Sequence, residues 1–107
     1  MKKLLIDIDS TVMTQGSPND YSKTTPLPGA VEAINKLYNE GYEIYFHTAR
    51  HFMWFKLTED QLKKYGFKYT GLVMNKPSGD LYIDDKSLHF DGDWQDTLKK
   101  IEERVKE

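Results

Sequence analysis

The chain has 107 residues, of which 38% are hydrophobic and 30% are charged, a composition typical of one small globular domain. Its formal net charge of −2 gives no bulk attraction to nucleic acid or to an anionic membrane, so any anion-binding site must be built locally. Because cysteine is absent, disulfides, zinc–thiolate sites and iron–sulfur clusters are excluded.

The first predicted element is a strand over residues 3–8, with apolar side chains on both faces from Leu4 to Ile8. Asp7 interrupts this apolar run, which is therefore shorter than the roughly 7–15 apolar residues of a signal peptide. No stretch of the sequence approaches the roughly 20 apolar residues of a membrane span. We therefore expect a cytoplasmic protein.

Three further elements follow. Residues 10–27 are polar and contain glycine and prolines, which predicts a long loop or a short hairpin, and a loop of that length in a compact domain is usually functional. Residues 28–41 have an apolar face at helical spacing and end in glycine, which predicts a helix. The β-branched and aromatic residues 42–48 predict a second strand that ends at Thr48.

The second half of the chain has similar patterns. The aromatic stretch 52–55 precedes a capping-box pattern of Thr58 and Gln61, which predicts a helix that ends near residue 66. Residues 71–74 and 81–83 are predicted to be short strands. Trp94, Leu98, Ile101 and Val105 are spaced as one face of a last helix, for which Asp93 is the predicted cap.

The resulting order of elements, β-α-β-α-β-β-α, predicts an α/β fold with a parallel sheet, helices on its faces and right-handed crossovers. In such sheets ligands bind at the carboxyl ends of the strands. Polar side chains follow each predicted strand at that end: Asp7 and Asp9, Thr48, Lys76, and Asp84 with Asp85. We expect these side chains to converge at one edge of the sheet.

Several carboxylates in one place repel one another and require a cation. Oxygen ligands favour Mg²⁺ over zinc. A lysine and a threonine hydroxyl in the same cluster indicate a second guest, an anion with several oxygens. Magnesium, carboxylates, lysine and threonine together are typical of a phosphoryl-transfer site.

Four short segments resemble the motifs of the haloacid dehalogenase superfamily: "DIDST" at the end of the first strand, "YFHT" at the end of the second, Lys76–Pro77, and "YIDD". They occur in the order that the superfamily has, across residues 3–85. The resemblance implies a three-layer Rossmann-like fold. Ser10 departs from the first motif, where glycine is more usual.

The resemblance also implies roles for the residues at the strand ends. Asp7 would be the nucleophile that forms an aspartyl-phosphate. Asp9 would be the general acid that protonates the leaving oxygen and later activates water. Thr48 would hydrogen-bond a phosphoryl oxygen, and Lys76 would neutralise charge. The implied Mg²⁺ ligands are Asp7, Asp9 through its carbonyl, and Asp84 or Asp85 or both.

Asp9 decides between two chemistries of the superfamily. Members that displace halide lack this second acid, because a halide leaves without a proton, whereas the alkoxide of a phosphomonoester needs one. Neither gap between the motifs has room for a cap domain, so we expect one core domain over residues 1–107. A site without a cap is open, which implies either a large substrate or a homo-oligomer, with the stretch 52–55 as a hypothetical interface.

A narrower resemblance, carried by "TARHFM" and "NKPSGDLYIDDK", is to small phosphatases without a cap that are associated with capsule and surface-polysaccharide biosynthesis. It implies a phosphorylated sugar or sugar-linked alcohol as the substrate. Arg50 is either a substrate contact or part of a surface ion pair. The residues predicted at the substrate are Ser10, Thr11, Ala49, Arg50 and His51.

Two other functions remain open from the sequence. An open site also suits a nucleotide or nucleic-acid end phosphatase, although the chain has no basic patch to hold a polymer. A non-catalytic phosphate-binding regulatory domain is the third hypothesis. An inactivated domain is expected to lose the nucleophile or the acid, whereas this chain keeps Asp7 and Asp9.

Overall fold

Strands and helices alternate along residues 2–105, the part of the chain that the computed structural model describes. A 3₁₀ turn, Phe52–Trp54, leads into the second helix. The elements in chain order are β1 (Lys3–Asp7), α1 (Ala30–Asn39), β2 (Glu43–His47), α2 (Phe55–Lys64), β3 (Gly71–Val73) and α3 (Trp94–Arg104).

The three strands form one parallel sheet in the order β1-β2-β3. Asp7 on β1 is the register partner of His47 on β2, and His47 is the partner of Val73 on β3. The carboxyl ends of the strands are therefore level with one another. The predicted α/β fold, a parallel sheet with packed helices and no cap domain, is confirmed.

The hydrophobic core lies against the face of the sheet that bears Ile6, Ile44 and Phe46, because alternate side chains of a strand point to the same face. Helix α1 contributes Ile34 and helix α3 contributes Trp94 to this core. The prediction that β1 is buried on both faces is wrong at one position. Leu5 points to the face of the sheet opposite that of Ile6, away from the core, and is 59% exposed.

The segment after β1 forms no regular strand, but isolated antiparallel bridges join Met13 to Pro26 and Ser17 to Asp20, so it is a long loop with hairpin-like pairing. Its first part is anchored in the core. Val12 and Met13 are fully buried. The Leu27 N–H donates to the Val12 carbonyl at 2.9 Å, and the Thr14 N–H donates to the Thr25 carbonyl at 2.8 Å. These bonds hold the two ends of the loop together beside the carboxyl end of β1.

The predicted strand over residues 81–83 is not formed, and this prediction is wrong. Leu81 and Ile83 are 76% and 91% exposed, and the Tyr82 hydroxyl donates to the Pro77 carbonyl at 2.8 Å. A run of three residues has the β-branched and aromatic composition of a strand, but composition does not supply the partner strand that must accept its hydrogen bonds.

The predicted capping box is also wrong. Helix α2 begins at Phe55, so Thr58 and Gln61 lie within the helix, where both side chains are buried. By contrast, the cap of α3 is confirmed. The Asp93 carboxylate accepts hydrogen bonds from the backbone N–H groups of Gln95 and Asp96, at 2.9 and 3.3 Å.

No helix within residues 2–105 is long and apolar enough to cross a membrane.

The cap of α3 gives a first testable prediction. D93A removes the acceptor for two N–H groups at the start of the helix, and we expect it to lower the free energy of unfolding by about 0.5–2 kcal/mol. Urea unfolding followed by circular dichroism measures the change. E103A, an exposed substitution in the same helix, is the control and should change stability by less than about 0.5 kcal/mol. Equal stabilities of the two variants would contradict the capping role.

Candidate active site

Asp7, the last residue of β1, has a half-buried carboxyl group at the edge where the strands end. Burial raises the pKa of this carboxyl above its usual value of 3.8, and the charge of Asp9 adds to the effect. Lys76, the backbone N–H of Ile8 and His47 act in the opposite direction. Asp7 is therefore a partly desolvated carboxyl group that a nearby lysine helps to keep ionised.

His47 lies beside Asp7 on β2, in register with it. Burial lowers the pKa of the His47 imidazole below 6.5, and the charge of Lys76 lowers it further, while Asp7 raises it. The neutral imidazole is therefore favoured at neutral pH.

Lys76 is held near Asp7 by hydrogen bonds between the turns that follow β2 and β3. The Lys76 N–H donates to the Thr48 carbonyl at 2.8 Å, and the Asn75 N–H donates to the Arg50 carbonyl at 3.0 Å. Asn75 has a φ of 60°, a left-handed conformation that asparagine tolerates. The Lys76 ammonium also lies 4.4 Å from the centre of the Tyr82 ring.

Asp9 is held by Arg50 in a bidentate ion pair. The Arg50 Nε donates to one carboxylate oxygen at 3.0 Å, and Nη2 donates to the other at 2.9 Å. The Arg50 side chain is fully buried, and that of Asp9 is 14% exposed. In this structure Arg50 is therefore neither an exposed substrate contact nor part of a surface ion pair, the two alternatives that the sequence left open. Its guanidinium is turned inward, away from an exposed substrate contact, and its ion pair is not on the surface.

The other guanidinium N–H groups bind neutral oxygens. Nη1 donates to the Thr58 hydroxyl at 2.9 Å and to the Gln61 side-chain carbonyl at 2.8 Å, both on α2. Nη2 also donates to the Thr24 hydroxyl at 3.2 Å. The centre of the Tyr21 ring lies 4.4 Å from the guanidinium carbon. All five N–H donors of the guanidinium thus have an acceptor within the protein.

These four partners of Arg50 were not predicted as site residues. Tyr21 and Thr24 lie in a loop whose path the sequence does not reveal. Thr58 and Gln61 are three positions apart on one helical face, which is otherwise read as a capping box. One feature of the sequence could have indicated them: two polar side chains lie on the face of α2 that packs against the core, and buried polar side chains require a polar partner.

The other predicted site residues differ in how accessible their side chains are. Thr48 is fully buried, and its hydroxyl accepts a hydrogen bond from the Arg50 N–H at 3.1 Å. The Thr11 carbonyl accepts from the Trp94 indole at 2.8 Å. Ala49 and His51 are exposed, and the His51 Nδ1 accepts from the Met53 N–H at 3.0 Å.

Ser10 is exposed, and its backbone explains why glycine suits this position. Its φ of 65° lies in the left-handed region that glycine adopts without steric cost. The Ser10 N–H donates to the Met13 carbonyl at 2.7 Å, and its hydroxyl donates to the side chain of Gln15. These bonds stabilise the turn that directs Asp9 towards Arg50.

The carboxylates predicted as metal ligands are not gathered. Within the part of the chain that the structure describes, no group of three or more acidic or histidine side chains is placed to hold a metal ion. Asp84 and Asp85 lie in the exposed segment that fails to form the predicted strand. The predicted set of Asp7, the Asp9 carbonyl, Asp84 and Asp85 is therefore not assembled among the described residues.

No protein-family model and no curated protein matches the sequence. Solved structures do match. A Vibrio cholerae protein is similar over 99% of this chain and 100% of its own, with a TM-score of 0.75 and 22% identity. The D,D-heptose 1,7-bisphosphate phosphatase of B. bronchiseptica, with a TM-score of 0.54 and 17% identity, is similar over 95% of this chain and 64% of its own.

A third similar structure is a chain of the Pnkp1/Rnl/Hen1 complex, with a TM-score of 0.60 and 19% identity. The similarity covers 99% of this chain and 35% of that one, so the chain spans about a third of its length. At these identities the likeness establishes the fold, and the chain has the Rossmann-like α/β fold without a cap domain that the sequence predicts.

The buried position of Asp7 gives a prediction about stability. Because its pKa is raised on folding, the unfolded chain ionises first as the pH rises above 3.8, and the folded state loses stability from there to the folded pKa. D7N removes this cost. We expect D7N to melt at a higher temperature than the wild type at pH 7, with the difference vanishing below about pH 3.8.

Asp20 provides a control of opposite sign. Hydrogen bonds from Ser22 lower the pKa of its carboxyl, so its ionised form stabilises the folded state above pH 3.8. D20N should therefore lower the melting temperature at pH 7. A lower melting temperature for D7N as well would contradict the desolvation of Asp7.

Proposed function

We propose that this chain is a phosphomonoester hydrolase that acts through an aspartyl-phosphate at Asp7. The observation that carries the proposal is the half-buried Asp7 carboxyl at the carboxyl end of β1, close enough to Lys76 for its charge to affect the Asp7 pKa. A carboxylate that is partly desolvated is a stronger nucleophile, and an adjacent ammonium attracts a phosphate. Asp9 lies two residues further along the chain, with its carboxylate held in a fixed orientation.

The reaction has two steps. An Asp7 oxygen attacks phosphorus as the bond to the alcohol oxygen breaks, and Asp9 gives that oxygen a proton. Water then attacks phosphorus, Asp9 takes a proton from the water, and the bond between Asp7 and phosphorus breaks to release inorganic phosphate. Lys76 neutralises charge in both steps.

We propose Mg²⁺ as the cofactor on the basis of donor chemistry, because carboxylate and carbonyl oxygens suit this ion. The heptose bisphosphate phosphatase of similar fold was crystallised with magnesium and phosphate. The described arrangement does not bring Asp84 or Asp85 into a ligand set with Asp7. When bound, Mg²⁺ would supply positive charge that stabilises the charge developing on the phosphoryl group.

A phosphorylated sugar or sugar-linked alcohol of surface-polysaccharide biosynthesis is the proposed substrate. The similar fold of a phosphatase that acts on a heptose bisphosphate supports this class. The fold has no cap domain, so the site is open and a second copy of the chain is proposed to complete it. Phe52 and Met53, 61% and 75% exposed beside His51, are the proposed contact between the copies.

A nucleic-acid end phosphatase is the second candidate. One observation favours it: the fold is similar to part of a chain in an RNA repair complex, with a TM-score of 0.59 over 99% of this chain. The net charge of −2 counts against a long polyanionic substrate.

A panel of phosphate esters tests the proposal and separates the two candidates. Sugar phosphates, sugar-linked alcohol phosphates, nucleotides and 3′-phosphorylated oligonucleotides are each incubated with the protein in Mg²⁺, and released phosphate is measured. We expect fastest release from a sugar-type ester, because the chain's net charge of −2 disfavours a polyanionic polymer. D7N should lower this rate at least about 10⁴-fold, since it removes the nucleophile, and EDTA should abolish release.

D60N, an exposed substitution on α2, is the matched control and should retain wild-type activity. Fastest release from the oligonucleotides would instead support the second candidate. Release from no ester of the panel by a folded protein would contradict the phosphatase and favour a phosphate-binding regulatory domain.

A further inference from the structure

Arg50 has no part in the proposed reaction, yet it is a fully buried charged side chain in direct contact with a residue of that reaction. We propose that Arg50 is a positioning residue, which holds the Asp9 carboxylate in the orientation that lets it exchange a proton with the leaving oxygen. This inference rests on the proposed function, and it assigns to Arg50 a role other than the substrate contact predicted from the sequence.

The geometry of the ion pair fixes the plane of the Asp9 carboxylate. Two parallel N–H···O bonds, at 3.0 and 2.9 Å, prevent the carboxylate from rotating about its last bond. Each carboxylate oxygen has two acceptor positions, and Arg50 occupies one on each. The Asp9 side chain is 14% exposed, so the other positions remain available for a proton on the open side of the group.

The guanidinium is itself fixed by three neutral side chains from two segments. Thr58 and Gln61 bind it from α2, and Thr24 binds it from the loop after β1. Gln61 is held in turn, because its side-chain amide donates to the Tyr21 carbonyl at 2.7 Å. Packing and hydrogen bonds of this kind lock the rotamer of a supporting residue, which reactive groups require for accurate placement.

The backbone of Arg50 belongs to the turn that also contacts Thr48 and the segment before Lys76. Its N–H donates to the Thr48 hydroxyl at 3.1 Å, and its carbonyl accepts from the Asn75 N–H, next to Lys76. The proton-transfer group and the charge-neutralising lysine are therefore attached to the same turn. Movement of Arg50 would displace Asp9 relative to the phosphate.

Substitution by lysine separates positioning from charge. Lysine keeps the positive charge but has no planar fork, so it cannot hold both oxygens of Asp9 in one plane. The experiment measures kcat/KM of the wild type and R50K for p-nitrophenyl phosphate, phenyl phosphate and glycerol 2-phosphate, with Mg²⁺ present. These leaving groups need a proton increasingly in that order. The ratio kcat/KM reports the steps up to departure of the alcohol.

We expect R50K to lower kcat/KM for glycerol 2-phosphate by about 10²–10³-fold, and that for p-nitrophenyl phosphate by less than about tenfold, because only the poor leaving group depends on general acid catalysis. D9N should give the same pattern. The double variant R50K/D9N should lose little more than D9N alone, since both substitutions remove one function.

Two controls distinguish positioning from general damage. R104K makes the same chemical change at an exposed arginine of α3 and should leave all three rates unchanged. L98A removes a buried side chain of α3 away from Arg50 and, if destabilisation alone were responsible, should lower all three rates by one common factor.

Equal losses for all three esters in R50K, or losses that multiply in R50K/D9N, would overturn the inference while leaving the phosphatase intact. A wild type that releases phosphate from none of the three would overturn the proposed function and this inference with it. If R50K does not fold, T58V removes one acceptor of Nη1 and should show the same dependence on the leaving group at smaller amplitude. Equal losses in T58V would again overturn the inference.

Discussion

The arrangement of the site depends on one buried charge. Removing a guanidinium from water costs several kcal/mol, and a folded protein retains it only when its hydrogen bonds and its charge are satisfied. Arg50 meets this condition through Asp9 and three neutral side chains. Because those partners come from the loop after β1 and from α2, satisfying one side chain also determines where these two segments lie.

Asp7, at the end of β1, and Asp9, two residues later, have different surroundings. Asp7 is half-buried, with a raised pKa and a lysine nearby, which are the properties of a carboxylate that attacks. Asp9 has both oxygens bound by one fork, the property of a group whose direction matters more than its nucleophilicity. Two identical side chains two residues apart thus have different surroundings, as the two roles proposed for them require.

The sequence predicts the parallel sheet, the three helices and the convergence of Asp7 with Lys76, because these follow from periodicity and from the rule for strand ends. It does not predict the partners of Arg50. Buried polar networks depend on contacts between segments far apart in the chain, as between Arg50 and Thr24. Thr58 and Gln61 show the difficulty, since a local capping pattern and a buried polar face place the same residue types at the same spacing.

The fourth predicted strand marks a different limit. A short apolar segment indicates strand conformation, but its pairing is decided by tertiary contacts rather than by composition. The predicted metal ligands Asp84 and Asp85 depended on that pairing, and so they are exposed in the described structure. By contrast, the left-handed φ at Ser10 explains in local terms why glycine is usual at this position of the first motif.

Chemical trapping of the intermediate tests the central claim most directly. The protein is mixed with p-nitrophenyl phosphate, quenched with acid during turnover and reduced with borohydride, which converts an aspartyl-phosphate to homoserine. Peptide mass spectrometry then locates the modified residue. The account predicts homoserine at position 7 alone, dependent on the phosphate ester. Turnover with homoserine at another aspartate, or with none at position 7, would contradict it.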